Sequence, residues 1–135
     1  MNIAVILRQV PDKNDPLRVT PSRTALDLQD ADFGLNKYDS QALEQAIEFK
    51  EAAGGSVSAL ALDHGDVDKF LYIAAANGAD QVFKISTQKD IAISLQAEAS
   101  IFAEAAGSIM ADLVLVGSRA PDELEGMLGP YLAEE

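Results

Sequence analysis

Four short apolar runs punctuate the chain, each bounded by Gly, Pro, Asn, Asp or a polar pair. They occupy residues 2–8, 56–62, 81–85 and 112–116 and are rich in Val, Ile, Leu and Ala. Runs of this length and composition predict buried β-strands. Because the runs are almost continuously apolar rather than alternating, they are typical of a parallel sheet covered on both faces.

Between the runs, apolar residues recur every three or four positions, which is the period of an amphipathic helix. The first helix is predicted to begin at a cap formed by Asp39 or Ser40, and Asp66 is predicted to cap the second. The last helix is the weakest, because Gly129 and Pro130 interrupt it. The predicted helices cover residues 39–53, 67–76, 90–107 and 122–135.

The order of these elements predicts the fold class. Residues 11–38 form a long loop with one hairpin, 17–19 against 25–28, and the other elements alternate. Alternation requires right-handed crossovers, so we predict one α/β domain over residues 1–135, a three-layer α/β/α arrangement around a parallel sheet. With the four strands numbered along the chain, the expected order is 3-2-1-4. Ligands bind beyond the carboxyl ends of such strands, here at residues 8–15, 62–66 and 117–127.

Composition and charge narrow the class of protein. The chain has 135 residues, no cysteine and a net charge of −12, which excludes disulfide scaffolds, thiolate metal sites and cysteine nucleophiles. The negative charge makes nucleic acid and anionic membranes poor partners. No apolar stretch approaches the roughly 18 residues of a membrane span, and no signal peptide is evident, so we expect a cytoplasmic protein.

The loop at residues 117–126, GSRAPDELEG, is the first candidate for chemistry. Glycine, serine and arginine before a helix N-terminus suit phosphate binding, since they allow close backbone approach and leave N–H groups free. Glu123 and Glu125 would repel a phosphate at this place. In the alternative interpretation, Asp122 and Glu125 cap the following helix and occupy the same N–H groups. The spacing leaves both interpretations open.

Other polar residues near the same rim also have two interpretations each. His64, the only histidine, suits a metal site, a hydrolase dyad with Asp66, or a solvated loop. Tyr38 suits either contact with a ring-shaped ligand or packing. Arg8 and Gln9 suit either a ligand rim or a strand end that faces solvent. No nucleophile motif accompanies them, so the residues alone predict neither a catalytic nor a metal-ligating group.

Four segments of the chain, in collinear order, resemble motifs of the electron transfer flavoprotein β-subunit family. The family motifs are K-Q-V-P-D with I-R-V, N-P-F/Y-D with A-L-E-E-A, A-L-A-L-G-A-D, and L-V-L-x-G followed by D-G-D-T-x-Q-x-G-P-x-L-A-E. The corresponding segments are RQVPD (8–12) with LRV (17–19), NKYD (36–39) with ALEQA (42–46), AAANGAD (74–80), and LVLVG (113–117) followed by Asp122 and GPYLAE (129–134).

The resemblance implies a Rossmann-like domain of the adenine-nucleotide α-hydrolase type that binds AMP or FAD. It also implies an electron carrier rather than a stand-alone enzyme, working with a flavin-bearing α subunit and serving flavin dehydrogenases. Tyr38 matches the aromatic residue that approaches the partner's flavin. The residues implied in nucleotide binding are Ile6, Arg8, Asn36 and His64 around the adenine, and Gly117, Arg119, Ala120, Glu123, Gly126, Met127 and Leu128 at the phosphate loop.

Two departures from the family pattern change these expectations. Family β subunits are roughly twice as long, so we expect exposed apolar surface that self-associates or binds an α-like subunit. The phosphate motif D-G-D-T-x-Q is here DELEGM at residues 122–127. At an effective dielectric near 20, two like charges about 4 Å apart repel by about 4 kcal/mol, so we expect weak AMP binding. The alternative function is a non-redox nucleotide-binding or assembly module with a degenerate phosphate site.

Overall fold

A computed structural model describes residues 1–12, 18–27, 31–87, 93–123 and 126–135 of the chain. Strands and helices alternate after an irregular N-terminal excursion. The elements are, in chain order, β1 (Asn2–Ile6), β2 (Gln9–Pro11), β3 (Arg18–Val19), β4 (Leu26–Asp27), β5 (Phe33–Leu35), α1 (Lys37–Ala53), β6 (Ser56–Leu62), α2 (Val67–Ala76), β7 (Gln81–Ile85), α3 (Leu95–Ser108), β8 (Leu113–Leu115) and α4 (Leu128–Glu134). Among the described residues, no helix is both long enough and apolar enough to cross a bilayer.

The central sheet is parallel, and its order is β7-β6-β1-β8. These are the third, second, first and fourth of the strands predicted from the apolar runs, so the predicted order 3-2-1-4 is confirmed. In the middle of the sheet, Val5 pairs with Ala59 on one side and with Leu115 on the other. Both neighbours run parallel to β1, which places the carboxyl ends of β1, β6 and β8 at one rim.

Helices cover both faces of the sheet, which explains why its strands are apolar throughout. On one face, Ile3, Val5 and Leu7 pack with the buried residues of α1 and α2. On the other face, Ala4 and Ile6 pack with α3 and α4. Successive strand residues point to opposite faces, so a strand covered on both sides must be apolar at every position. The three-layer α/β/α architecture is therefore confirmed.

Helix α1 begins earlier than the sequence predicted, and its cap is a different residue. Asn36 is the N-cap, and its side-chain oxygen accepts from the backbone N–H of Tyr38 at 3.4 Å. The prediction that Asp39 or Ser40 caps this helix was wrong. Asp39 lies inside the first turn and is fully buried, because its carboxylate binds groups on two neighbouring strand ends. The predicted end at Ala53 is correct, and Gly54 follows it with φ +73°.

The starts of the last two helices also differ from prediction. Helix α3 begins at Leu95, because Ser94 is extended and its hydroxyl accepts from the backbone N–H of Ala97. The start predicted at residue 90 was wrong, and residues 90–92 themselves lie outside the described part. Helix α4 begins at Leu128 rather than at 122, because residues 121–122 form a turn instead. Asp66 stands at the N-cap of α2 but makes no capping hydrogen bond through its side chain.

The N-terminal excursion contains the predicted hairpin and one antiparallel pair that the sequence did not suggest. Strands β3 and β4 pair antiparallel, as predicted. The first predicted strand, residues 2–8, ends at Ile6, and β2 follows it and pairs antiparallel with β5. This second pair returns the chain to the end of β1, where the backbone N–H of Asn36 donates to the carbonyl of Arg8 at 2.9 Å. The N-terminus of α1 is thereby fixed at the rim of the sheet.

Candidate functional site

The candidate site lies at the rim where β1, β6 and β8 end. Arg8 follows β1, His64 follows β6 and Gly117 follows β8, and the N-terminus of α1 closes the same rim. This is where parallel α/β sheets bind ligands. The rim is close to the one predicted from the sequence, with α1 as an added wall.

Asp39 is the centre of the hydrogen-bond network at this rim. Its Oδ2 accepts from the backbone N–H of Arg8 at 2.9 Å and from Arg8 Nε at 3.0 Å. Its Oδ1 accepts from Arg8 Nη2 at 2.9 Å and from the backbone N–H of Gly117 at 2.8 Å. A carboxylate can accept about four hydrogen bonds, so Asp39 is fully used in joining α1 to the ends of β1 and β8.

Gly117 is required at this junction because there is no room for a Cβ atom, not because the backbone adopts a conformation that favours glycine. A Cβ atom built on Gly117 would lie 2.6 Å from the carbonyl carbon of Tyr38 and 2.7 Å from the backbone nitrogen of Asp39. Real Cβ atoms essentially never approach other atoms so closely, and the obstacle here is backbone, which cannot rotate away. The glycine therefore lets the loop after β8 rest directly on the first turn of α1.

Arg8 has no hydrogen-bond donor left for a ligand. Beyond its bonds to Asp39, Nη2 donates to the carbonyl of Gly117 at 3.2 Å, and Nη1 donates to both carboxylate oxygens of Glu123, at 3.1 and 3.0 Å. These contacts use all five N–H donors of the guanidinium. The side chain is only 7% exposed, so the interpretation of Arg8 as a strand end facing solvent was wrong.

The charge of Arg8 is stabilised by its two carboxylate partners. Burial alone would lower the pKa of the guanidinium, but the hydrogen bond and the charge of Asp39, together with Glu123, raise the pKa above its ordinary value. Arg8 is therefore a permanent cation that two anions of the same chain already neutralise. Glu123, which the sequence interpretation set against a phosphate, is the outer partner of this cation.

Asn36 and Arg119 also bind groups of the protein. Asn36 is fully buried, and its Nδ2 donates to the carbonyl of Arg119 at 2.9 Å. Arg119 is the only base in the loop at 117–127, and its Nε and Nη2 donate to Tyr38 Oη at 3.2 and 2.8 Å. The guanidinium also lies 5.2 Å from the centre of the Tyr38 ring. Tyr38 and Arg119 together form a polar aromatic surface at the mouth of the rim.

A cavity of about 230 Å³ opens beside the Arg8–Glu123 pair. Its walls come from the ends of β1 and β6, from β2 and β5, from the start of α2, from α3 and from the loop after β8. The lining residues are Leu7, Arg8, Gln9, Phe33, Leu62, His64, Val67, Glu98, Phe102, Ala120, Asp122 and Glu123. Half of the lining residues are apolar and half are polar or charged, so the cavity offers contacts for both the ring and the polar groups of a small organic ligand.

The cavity unites only part of the set of residues predicted from the sequence. Arg8, His64, Ala120 and Glu123 line it, whereas Ile6 is fully buried in the core against α3. The remaining residues of the set lie elsewhere at the rim or in the core. Asn36, Tyr38, Gly117 and Arg119 form the network described above, Gly126 turns with φ +59° beside Ser118, Met127 is the N-cap of α4, and Leu128 is buried in the core.

His64 is exposed at the mouth of this cavity. Its backbone N–H donates to the carbonyl of Leu62 at 2.8 Å. In the described part of the chain, no hydrogen bond or ion pair joins the His64 side chain to Asp66. In the described part of the chain, no cluster of three or more His, Cys, Asp or Glu side chains could hold a metal ion.

Glu98 is the residue of this site that the sequence interpretation missed. It lies in the first turn of α3 and lines the cavity together with Phe102, four positions later. Burial, and secondarily the charge of Glu123, raise the pKa of Glu98 from its ordinary value of 4.5 to about 7. The helical spacing could have indicated Glu98, because it falls on the same helix face as Leu95 and Phe102.

Replacing Glu98 by Gln will make the free energy of unfolding depend less strongly on pH. Between about pH 4.5 and 7, the unfolded chain loses the Glu98 proton while the folded chain keeps it, so the free energy of unfolding falls as pH rises. We expect a fall of about 2 kcal/mol from this partly buried group. Urea unfolding at several pH values measures it, with Glu104→Gln on the exposed face of α3 as the control. Equal slopes in the wild type and in Glu98→Gln would contradict the assignment.

Comparisons with known proteins find relatives of this chain among electron transfer flavoprotein subunits. The family model described as "Electron transfer flavoprotein domain" matches residues 24–135. The electron transfer flavoprotein subunit beta of Thermoanaerobacterium thermosaccharolyticum is 30% identical over 135 residues, covering 100% of this chain and 52% of the relative. The subunit of the same name from Bacillus subtilis is 30% identical and covers 99% of this chain and 52% of the relative.

One further relative is named for a specific electron-transfer system. The acryloyl-CoA reductase electron transfer subunit gamma of Anaerotignum propionicum is 30% identical over 138 residues, covering 100% of this chain and 51% of the relative. The chain thus spans about half the length of the curated relatives that it matches.

Proposed function

Because the chain belongs to the electron transfer flavoprotein domain family, we propose that it serves electron transfer as a β-subunit-like protein rather than as a stand-alone enzyme. The observation that carries this proposal is the similarity to electron transfer flavoprotein β subunits along the whole chain. The Rossmann-like three-layer fold, with its ligand rim at the ends of β1, β6 and β8, is consistent with it.

The proposed partner is an α-like subunit that holds FAD and receives electrons from a flavin dehydrogenase. The polar aromatic surface of Tyr38 and Arg119 supports this choice, since a tyrosine ring at the mouth of the rim can pack against an isoalloxazine ring. The guanidinium beside it can donate to the polar edge of a flavin or to a carbonyl of the partner. In this proposal the chain supplies the wall next to the flavin, and the flavin carries the electron chemistry.

Exposed apolar side chains support a partner of some kind. Tyr72 is 74% exposed on α2, Met110 is 77% exposed after α3, and Val82 is 37% exposed on β7 at the edge of the sheet. Single exposed apolar residues are ordinary, but an edge strand with free backbone groups is a place where another chain can bind. A second copy of the chain is the alternative occupant of such a surface.

The experiment that tests the proposal is isolation of the tagged chain with its native partner, followed by a visible absorbance spectrum. We expect a co-purified protein and the spectrum of a bound flavin. Tyr38→Ala should shift the absorbance bands of the flavin or weaken its retention at least tenfold, because the ring would no longer cover it. Phe49→Ala, which removes an exposed aromatic ring from the C-terminal half of α1, is the matched control and should leave the flavin spectrum unchanged.

A complex without flavin, or a chain that only self-associates, would contradict the proposed electron-transfer role. Either result would favour the second candidate function, a non-redox binding or assembly module. One observation favours that candidate: Arg8, the buried cation of the rim, is already neutralised by Asp39 and Glu123.

A further inference from the structure

Arg8, the cation among the described residues that line the cavity, does not fit the phosphate of AMP or FAD that the family implies. A phosphate site needs N–H donors or positive charge that the protein has not already used. In the described residues of this rim there are two arginines. Arg8 donates all five of its N–H groups to Asp39, Gly117 and Glu123. Arg119 donates two N–H groups to Tyr38 and does not line the cavity. The backbone N–H of Glu123 is also engaged, with the carbonyl of Ala120 at 3.1 Å.

The carboxylates of the cavity make a phosphate still less favourable. Among the described residues that line the cavity, Glu98, Asp122 and Glu123 are carboxylates and Arg8 is the one permanent cation. Asp39, behind Arg8, adds a further negative charge. An anion that entered would have to displace Glu123 from Arg8 and then remain among these carboxylates.

The rest of the wall fits a small flat ligand without a phosphate. Leu7, Leu62, Val67 and Phe102 form an apolar surface, and His64 stands at the mouth with an exposed side chain. Half of the lining residues are polar or charged, and a wall of this mixed character suits a heterocycle that carries polar groups. Carboxylate oxygens in this wall can accept hydrogen bonds only from an N–H or O–H donor.

We propose that this cavity binds a neutral or cationic, amine-bearing heterocycle such as a nucleoside and rejects nucleotides, because Glu123 acts as an internal ligand at the place where a phosphate would meet Arg8. The inference rests on the proposed function only for the choice of an adenine compound as the probe. The exclusion of phosphate follows from contacts within this chain, and it holds with or without an α-like partner.

The preference of the cavity for adenosine over AMP should weaken as pH falls. Glu98 faces Glu123 and Asp122 from the loop after β8, Arg8 from the end of β1 and Asp39 from α1, and His64 shares the cavity. Protonation of Glu98, whose pKa is about 7, removes one negative charge from the wall. AMP should therefore gain affinity relative to adenosine between pH 8 and pH 6.

Calorimetric titration of the full chain with adenosine, AMP and inorganic phosphate tests the proposal. At pH 8 we expect adenosine to bind at least tenfold more tightly than AMP, and phosphate not to bind. The double variant Glu98→Gln, Glu123→Gln should raise the affinity of AMP relative to adenosine at least tenfold. The matched control is Glu44→Gln, Glu104→Gln, which removes the same charge from exposed positions on α1 and α3 and should leave the ratio within twofold.

Three results would overturn the proposal. The first is AMP binding by the wild-type chain as tightly as adenosine. The second is an equal change of the ratio in the matched control, which would mean that net charge rather than the cavity sets it. The third is no binding of adenosine at its solubility limit, which would refute the assigned ligand class. Each of these results is compatible with a chain that co-purifies with a flavin-bearing partner. The ligand proposal can therefore fail while the proposed electron-transfer function holds.

Discussion

Replacing Asp39 by Ala will lower the free energy of unfolding by about 3–5 kcal/mol. The substitution leaves Arg8 buried with one partner fewer, and removing one member of a buried ion pair typically costs that much. It also removes the acceptor of the backbone N–H groups of Arg8 and Gly117. Because domains are stabilised by only about 5–15 kcal/mol in total, we expect a variant close to its unfolding threshold.

Urea unfolding followed by circular dichroism measures this loss. Glu51→Ala, on the exposed face of the same helix, is the control and should change stability by no more than about 0.5 kcal/mol. If Asp39→Ala does not fold at all, Asp39→Asn keeps the shape of the side chain and should still lose more than about 1 kcal/mol, because an amide cannot balance the charge of Arg8. A loss below about 1 kcal/mol in both variants would show that Asp39 is not the centre of this network.

Replacing Gly117 by Ala will cost about 3 kcal/mol, the upper end of the usual cost of overpacking. The new methyl group would meet the backbone of Tyr38 and Asp39 at 2.6 and 2.7 Å, so the loop after β8 must move away from α1. That movement would also lengthen the hydrogen bond from the backbone N–H of Gly117 to Asp39. Thermal and urea unfolding measure the loss.

Gly107 offers a matched control for the same chemical change. It lies within α3, and no atom lies within 4 Å of a Cβ built there. Gly107→Ala should therefore raise stability by about 0.5–1 kcal/mol, since Ala is the better helix former. The same Gly→Ala change would then lower the free energy of unfolding at position 117 and raise it at position 107. If Gly117→Ala is neutral or stabilising as well, the close approach of β8 and α1 is not tight.

The fold could be predicted from the sequence because its signals are local. The run at residues 2–8 and the run at 56–62 are apolar at nearly every position, which requires cover on both faces. Alternation with helices then leaves few topologies, since right-handed crossovers are nearly obligatory. The β2–β5 pair was not predictable in this way, because Gln9–Pro11 and Phe33–Leu35 are too short to show a period.

The N-cap of α1 was predicted wrongly because local propensity does not decide between two residues that are equally good N-caps. Asn and Asp are both strong N-caps, so Asn36 and Asp39 compete on equal terms in the sequence. Tertiary contact decides the case, since Arg8, which lies 31 positions before Asp39, takes that carboxylate into the core. The remaining cap, Asn36, then sets the start of the helix.

The sequence predicted that Glu123 repels a phosphate from its charge alone, because the direction of its carboxylate cannot be predicted from the sequence. Glu123 lies 115 positions from Arg8, and only the fold shows that the two meet. The predicted cap at Asp122 was wrong, because α4 begins at Leu128 with Met127 as its N-cap, and Glu125 lies outside the described residues. Glu98, in contrast, could have been found, because it interrupts the apolar face of a helix at a regular position.

The Arg8 guanidinium gives the most direct test of the claim that the chain fills its own anion site. Nitrogen NMR of Arg8 should show slowly exchanging Nε and Nη protons, because the side chain is 7% exposed and every donor is bonded. Addition of millimolar AMP should leave these signals unchanged in the wild type, and Glu123→Gln should accelerate exchange at Nη1. Arg8 signals that move with AMP in the wild-type chain would show that a phosphate displaces Glu123, and would contradict the account.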